Sequence, residues 1–292
     1  MTARKPLARA AADFAAGRIA LAGFVLLALL LLAALFAPWI SPQNPYDLAQ
    51  LDLLDSRLAP GARSAAGRIY WLGTDDQGRD MLSAILYGLR TSVAVGLVST
   101  LCGLAIGVSL GLAAAWFGGW FDALVMRLAD LQLSFPSILI ALVLLAVLGQ
   151  GIDKIILALV AVQWAYYART ARATALVERR KDYIEAATSL ALSHARILLR
   201  HLLPNCLPPL IVLATVQVAA AITLEATLSF LGLGLPITEP SLGLLISNGF
   251  NYLLSGHYWI SFFPGIALLA AVVSINLVAD RLRDVLNPQL RQ

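Results

Sequence analysis

The residues that most often carry catalysis are few in this sequence, and none is spaced as a hydrolytic site requires. A phosphate-binding loop needs glycine immediately before its lysine, but the three lysines follow Arg4, Asp153 and Arg180. The His-Glu-x-x-His pattern is absent. The one Gly-x-Ser-x-Gly match, residues 107–111, lies inside an apolar segment and not at the strand-to-helix turn that this motif needs. The three histidines are His194, His201 and His257. We therefore expect no catalytic residue, no metal site and no cofactor bound by this chain, and any ATP hydrolysis to occur in another protein.

One acidic residue, Glu225, lies inside the apolar segment 207–231. A charge at the centre of a bilayer costs about 2.5–3.5 kcal/mol on insertion scales. Glu225 is therefore a candidate for a proton relay or for the translocation path, with Gln217 as a second polar candidate. The alternative for Glu225 is a hydrogen bond between helices or a position near the outer surface. Gln163, Gln217 and Asn276 are also typical of polar contacts between membrane helices.

Three aspartates, Asp75, Asp76 and Asp80, could suggest a calcium site. An EF-hand loop with glycine at its sixth position would place Gly73 where the first carboxylate is needed, which argues against one. Thr74 and Gln77 instead fit a capping box. The sequence thus predicts a helix that begins there and lies on the outer membrane surface, with apolar residues at helical spacing.

Residues 182–205, DYIEAATSLALSHARILLRHLLPN, form a polar and basic stretch in an otherwise apolar chain. Ile184, Ala187 and Leu190 recur at helical spacing, and residues 183–203 contain no glycine or proline. We expect two short helices with a bend near Ala191, the second capped by Ser193 and ended by Pro204. Such an ordered loop would contact a protein outside the bilayer. The alternative is a solvated basic loop.

The composition identifies a membrane protein. Of 292 residues, 60% are hydrophobic and 13% are charged, and the mean hydropathy is +0.80. Hydropathy predicts six spans, at 19–38, 92–116, 121–148, 152–168, 207–231 and 259–279. With a cytoplasmic amino terminus, 15 of the 21 Lys and Arg residues fall on the cytoplasmic side. Both termini are then cytoplasmic, and the basic charge reflects topology rather than nucleic-acid binding.

These boundaries divide the chain into five parts. They are a basic cytoplasmic tail (1–18), a first transmembrane helix (19–38), an extracytoplasmic segment with the amphipathic helix (39–91), a five-helix core (92–280) that includes the cytoplasmic loop 168–206, and a cytoplasmic tail (281–292).

Three features predict how the core packs. Gly103, Gly107 and Gly111 form a small-xxx-small series, which lets helix backbones approach closely. Pro136 should kink the third span. Arg127 and Asp130 are one helical turn apart and are predicted to pair.

Several segments in order resemble the inner-membrane permeases of binding-protein-dependent ABC importers, in the dipeptide, oligopeptide and nickel group. EAATSLALSHARILLRHLLPN resembles the EAA signature of that family. LGTDDQGRDMLSAILYGLRTS is similar to its outside segment, and FGGWFDALVMRLADLQLSFPSILIAL to its third span. LEATLSFLGLG and FPGIALLAAVVSINLVADRLRDVLNP resemble its later spans.

The resemblance implies an all-α, six-span permease of the type I importer fold in the bacterial inner membrane. It implies four partner proteins: a homologous second permease, two ATPase subunits that hold ATP and magnesium, and an external substrate-binding protein. Residues 182–205 would be the coupling loop that docks into an ATPase. The coupling residues implied are Tyr183, Glu185, Ala186, Ala187, Ala191, Leu192, Ser193, Arg196, Pro204 and Asn205.

The sequence departs from the family pattern at three positions. Ala191 replaces the usual glycine, which carries a cost if the bend needs a left-handed backbone. Leu242 stands where tryptophan is frequent, and Ala279 where glycine is frequent.

We expect a peptide importer, with nickel or another small solute as the alternative. From other classes, an ion-coupled transporter that uses Glu225 and a scaffold whose loop only binds a partner remain open.

Overall fold

A computed structural model describes residues 13–64 and 67–286 of the chain. Within these residues the regular structure is helical and contains no strand. The principal helices are α1 (Arg18–Leu35), α2 (Met81–Phe117), α3 (Gly119–Leu133), α4 (Ser137–Leu148), α5 (Ile152–Glu178), α6 (Asp182–Ser189), α7 (Leu203–Phe230), α8 (Leu242–Phe250) and α9 (Trp259–Leu286). The shorter helical turns are Ala37–Ile40, Leu48–Gln50, Leu53–Asp55, His194–Ile197, Leu198–Leu202 and Leu253–Ser255.

Four of the described helices are long and apolar enough to cross a membrane: α1, α2, α9 and the stretch His194–Phe230 that contains α7. Helices α3 and α4 count as a fifth span if the bent pair is taken together. They meet at 93°, and Pro136 precedes α4 in an extended conformation, so the predicted kink is confirmed. The count of six is not reproduced. Helix α5 covers the predicted span 152–168 and continues ten residues further, but it is not among the described helices that are apolar enough to cross a membrane.

Close backbone contact between α2 and α5 forms the centre of the fold. A Cβ atom on Gly107 would lie 2.3 Å from the Trp164 carbonyl oxygen, and one on Gly111 would lie 2.3 Å from that of Ala168. Gly103 has more room, with 3.2 Å to the Gln163 Cβ atom. The predicted glycine contact is therefore confirmed, and it joins α2 to α5.

Helix α2 differs from its prediction in both start and length. Its N-cap is Asp80, whose Oδ2 atom accepts hydrogen bonds from the Ser83 backbone N–H (2.8 Å) and hydroxyl (2.6 Å). Thr74 caps no helix, because its hydroxyl donates to the Asp55 carbonyl (2.5 Å) and accepts from Leu58 N–H (2.7 Å). From Met81 the helix continues to Phe117, so the prediction of a separate surface helix before the second span is wrong.

Residues 41–64 and 67–80 belong to the segment predicted to lie outside the membrane, and we call them the outer cap. They pack over the first turns of α2 and α9. Trp259 Nε1 donates to the Thr74 carbonyl (3.1 Å), and Arg79 Nη2 donates to the Ile237 carbonyl (2.8 Å). Asp75 lies 3.7 Å from Arg79 Nε. Burial raises the pKa of Asp75 to about 6, although the Arg79 charge opposes this rise. The outer cap thus has a buried polar centre.

Charged residues near the α2–α3 corner pair between helices. Asp122 of α3 forms a bidentate ion pair with Arg172 of α5, at 2.5 and 2.6 Å. Asp130 pairs with Arg169 of α5 at 3.4 Å. The predicted pair of Arg127 with Asp130 is wrong, since a neighbouring helix supplies the cation.

Replacing Gly107 tests the α2–α5 contact. We expect Gly107→Ala to lower the stability of the detergent-solubilised protein by about 1–3 kcal/mol, because the new methyl group meets backbone rather than a movable side chain. The measurement is the midpoint of thermal unfolding.

Gly265→Ala is the matched control, because a Cβ atom at Gly265 of α9 would meet no atom within 4 Å. Its midpoint should be unchanged or higher, as alanine favours helix. Equal midpoints for the two variants would contradict the close contact.

Candidate coupling loop and translocation cavity

Helix α6 carries the Glu-Ala-Ala sequence and buries one of its faces. Ile184 and Ala187 are 2% and 5% exposed and belong to a hydrophobic cluster with residues of α2 and α5. Glu185 and Ala186 lie on the opposite, exposed side of the helix. The predicted first helix of the loop is confirmed. Packing of one face fixes α6 on α2 and α5 and leaves the Glu185 side exposed.

The bend follows at Ala191, where the backbone has φ +51°. This is the left-handed region, which costs a residue with a Cβ atom roughly 1–2 kcal/mol. Two backbone hydrogen bonds hold the turn, from Ala191 N–H to the Thr188 carbonyl (2.9 Å) and from Leu192 N–H to the Ala187 carbonyl (3.3 Å). The bend is therefore present without the family's usual glycine.

The second helix begins as predicted but does not end as predicted. Ser193 occupies the N-cap position, although its side chain makes no capping hydrogen bond. Pro204 lies in the first turn of α7, where its missing N–H is tolerated. A π-helical turn, Leu198–Leu202, joins the two helices. The prediction that Pro204 ends the helix is wrong, because the helical stretch continues through it from His194 to Phe230.

The other predicted coupling residues differ in exposure. Arg196 is exposed on the turn His194–Ile197, and Leu192 is half-buried beside the hydrophobic cluster. Asn205 is exposed, and its side-chain amide donates to the His201 carbonyl (2.6 Å).

Glu178, at the end of α5, holds the start of α6. Its carboxylate accepts from Lys181 Nζ (2.6 Å) and from the Tyr183 hydroxyl (2.7 Å). Burial alone would raise the pKa of Glu178, but these hydrogen bonds outweigh it and leave the pKa below its ordinary value. The pKa of Tyr183 is raised by burial and by its bond to Glu178. Tyr183 is 36% exposed, so its hydroxyl anchors the start of the loop while its side chain stays accessible.

A second anchor joins the loop to the end of α2. Trp116 Nε1 donates to His194 Nδ1 at 3.1 Å. The Arg179 guanidinium stacks 5.2 Å from the Trp116 ring centroid and donates to the Ala115 carbonyl (2.8 Å). With Glu185, these side chains line a groove of about 500 Å³. This anchor is not predictable from the sequence, because no local pattern relates two residues 78 positions apart.

A cavity of about 480 Å³ opens between α4, α5, α7 and α9. Gln217, a predicted path residue, lines it together with Gln163 and Asn276. Its other polar lining groups belong to Ser137, Tyr166, Thr223 and Thr227. None of the lining residues is charged. The sequence predicts the three amides as separate contacts between helices, whereas the fold brings them to one cavity.

Glu225, the other predicted path residue, is not among the residues that line this cavity. It is fully buried, and its carboxylate accepts from Ser92 of α2 (2.7 Å) and Ser229 of α7 (2.8 Å). The hydroxyl of Ser241, the N-cap of α8, also bonds it. Glu225 thus connects three helices, as in the alternative of a hydrogen bond between helices.

The chain matches two family models. Residues 103–292 match the binding-protein-dependent transport system inner membrane component, and residues 5–60 match the N-terminal transmembrane domain of oligopeptide transport permease C. A putative peptide transport system permease protein of Brucella suis is 41% identical over 92% of this chain and 87% of its own. The di/tripeptide transport system permease protein of Pseudomonas aeruginosa is 36% identical over 96% and 91%.

A solved structure is similar in fold. The inward-facing MetNI methionine ABC transporter matches with a TM-score of 0.55 and 22% identity, over 71% of this chain and 98% of that chain. This likeness supports the type I importer permease fold. Together with the family models and the curated relatives, it shows that the chain belongs to the family of inner membrane components of binding-protein-dependent transport systems.

Proposed function

We propose that this chain is one of two permease subunits of an ABC importer that carries di- or oligopeptides across the bacterial inner membrane. The single observation that carries the proposal is the coupling loop: a folded pair of helices, anchored from within, whose Glu185 and Ala186 remain exposed. An exposed surface on a rigid support is what docking of another protein requires. Two ATPase subunits, a homologous permease and an external binding protein complete the proposed complex.

In this proposal the ATPases hold ATP and magnesium, and the coupling loop receives the movement that hydrolysis drives. Helix α6 would lie in a groove of the ATPase, with Glu185 and Ala186 at the contact. Because Ile184 and Ala187 are packed against α2 and α5, displacement of α6 would move those helices with it. Both termini and the loop 168–206 would be cytoplasmic, in agreement with the distribution of positive charge.

The chemistry of the cavity favours peptides over nickel. Nickel sites in proteins use imidazole, thiolate or carboxylate ligands, and the cavity lining contains none of these groups. Amides and hydroxyls can instead exchange hydrogen bonds with the backbone of a passing peptide. The exposed part of Gln217 supports its assignment to the translocation path, shared with the partner permease. Relatives described as peptide or dipeptide permeases support the same substrate class.

The full complex tests this function. We expect the chain, co-expressed with its partner subunits, to retain the ATPases on purification and to take up dipeptide into proteoliposomes in the presence of ATP and the binding protein. Uptake should be insensitive to a protonophore. Nickel uptake without peptide uptake would refute the substrate class, and gradient-driven uptake without ATPases would favour the ion-coupled class.

The docking surface is tested by Glu185→Arg and Ala186→Trp. Each change lies on the exposed side of α6, so the permease should still insert, while substrate-stimulated ATP hydrolysis should fall at least tenfold, because charge reversal or bulk blocks the contact. Asp153→Arg is the control, the same reversal at the opposite end of α5. Normal stimulation in both loop variants would remove the docking assignment.

Substitutions at Glu225 separate charge from hydrogen bonding. Glu225→Gln keeps the shape and most hydrogen bonds, so we expect near wild-type peptide uptake. Glu225→Leu leaves the serines around it without their partner and should lower stability by about 1–3 kcal/mol. The measurements are uptake into proteoliposomes and the thermal unfolding midpoint. Loss of uptake in a stably folded Glu225→Gln protein would show that the charge itself is required.

A further inference from the structure

Trp116 lies at the point where α2 meets the coupling loop. It is in the last turn of α2 and is 9% exposed. Its indole has one polar atom, and this N–H donates to His194 at the first position of the turn after the bend. The ring of His194 packs edge-on at 5.6 Å between centroids. We call the part of the coupling loop before Ala191 its first arm and the part after Ala191 its second arm. Trp116 therefore contacts the second arm.

The first arm, which precedes Ala191, contacts the same indole through Arg179. Arg179 lies just before α6, and its guanidinium covers the Trp116 ring while it bonds the Ala115 carbonyl. Both arms of the loop thus meet at one side chain of α2. The hydrophobic cluster beneath them is non-directional, whereas the Trp116–His194 hydrogen bond fixes the orientation of the second arm.

Helix α2 connects this point with the opposite end of the molecule. It is continuous from Met81 to Phe117, and its glycines hold it against α5. Ser92, in its first third, donates to the buried Glu225 of α7. A displacement of Trp116 would therefore be carried along α2 to the junction of α7 and α8.

We propose that Trp116 and His194 are positioning residues for energy coupling: their hydrogen bond makes the coupling loop and α2 move as one body. This inference rests on the proposed docking of the loop to an ATPase, and it concerns a later step than docking. If the bond is removed, the loop still presents Glu185 and still binds the ATPase. Its movement is then only partly transmitted to α2.

The test uses the complete importer in proteoliposomes, with Trp116→Phe, His194→Leu and the double variant. Each single variant removes one partner of the bond and keeps an apolar side chain. We expect all three to retain the ATPase and its basal hydrolysis, while substrate-stimulated hydrolysis and peptide uptake fall about fivefold, the factor that one neutral hydrogen bond supports. The double variant should lose no more than either single variant, because both remove the same interaction.

Two further variants separate this role from a general effect on the loop. His194→Asn places an amide oxygen near the position of Nδ1, so it should restore stimulation to within about twofold of wild type. His201→Leu is the control: His201 lies in the same loop, and among the described residues its imidazole has no hydrogen-bond partner. It should behave as wild type.

Three results would overturn the inference while leaving the docking proposal in place. They are full stimulation in both single variants, losses that multiply in the double variant, and failure of His194→Asn to restore stimulation. A variant that no longer retains the ATPase would also overturn it, because the bond would then maintain the docking surface itself. If the wild-type permease retains no ATPase, both the proposed function and this inference fail.

Discussion

The separation between the backbones of α2 and α5 is the constraint on which the other contacts depend. Only glycine fits at positions 107 and 111, because the carbonyl oxygens of Trp164 and Ala168 occupy the space of a side chain. This approach aligns the ends of the two helices, so that Trp116 of α2 and Arg179, the C-cap of α5, can stack. The same pairing places Gln163 beside Thr100 and at the edge of the cavity.

The two ends of α2 differ in how far their polar contacts are buried. At its N-terminal end, Asp80 caps the helix and Arg79 bonds a carbonyl of the α7–α8 connection, within the outer cap. Further along, Glu225 is enclosed by serine hydroxyls from three helices, and hydrogen bonds of this kind offset the cost of a buried carboxylate. At its C-terminal end, the groove beside Trp116 is open. The closed end fits a structural role, whereas at the open end the exposed side of α6, with Glu185, is available for contact with another protein.

Local patterns predicted the features that depend on a few neighbouring residues. The spacing of Ile184 and Ala187, the glycine series and the break at Pro136 are of this kind. The start of α2 was not predicted correctly, because the Thr74 hydroxyl makes hydrogen bonds with Asp55 and Leu58, which are distant in the sequence, and so does not cap a helix. Arg127 was paired wrongly for the same reason: the partner of Asp130 comes from another helix. The cavity was also beyond prediction, since hydropathy does not reveal which helix faces meet.

Alanine at position 191 also affects the flexibility of the coupling loop. Glycine in a left-handed turn can exchange among several backbone conformations, whereas a Cβ atom confines the residue to one narrow well. Hydrogen bonds to Thr188 and Ala187 deepen that well. The bend at Ala191 is therefore stiffer than a bend built on glycine. Less of any displacement of α6 is then lost as bending of the loop before it reaches the helix bundle.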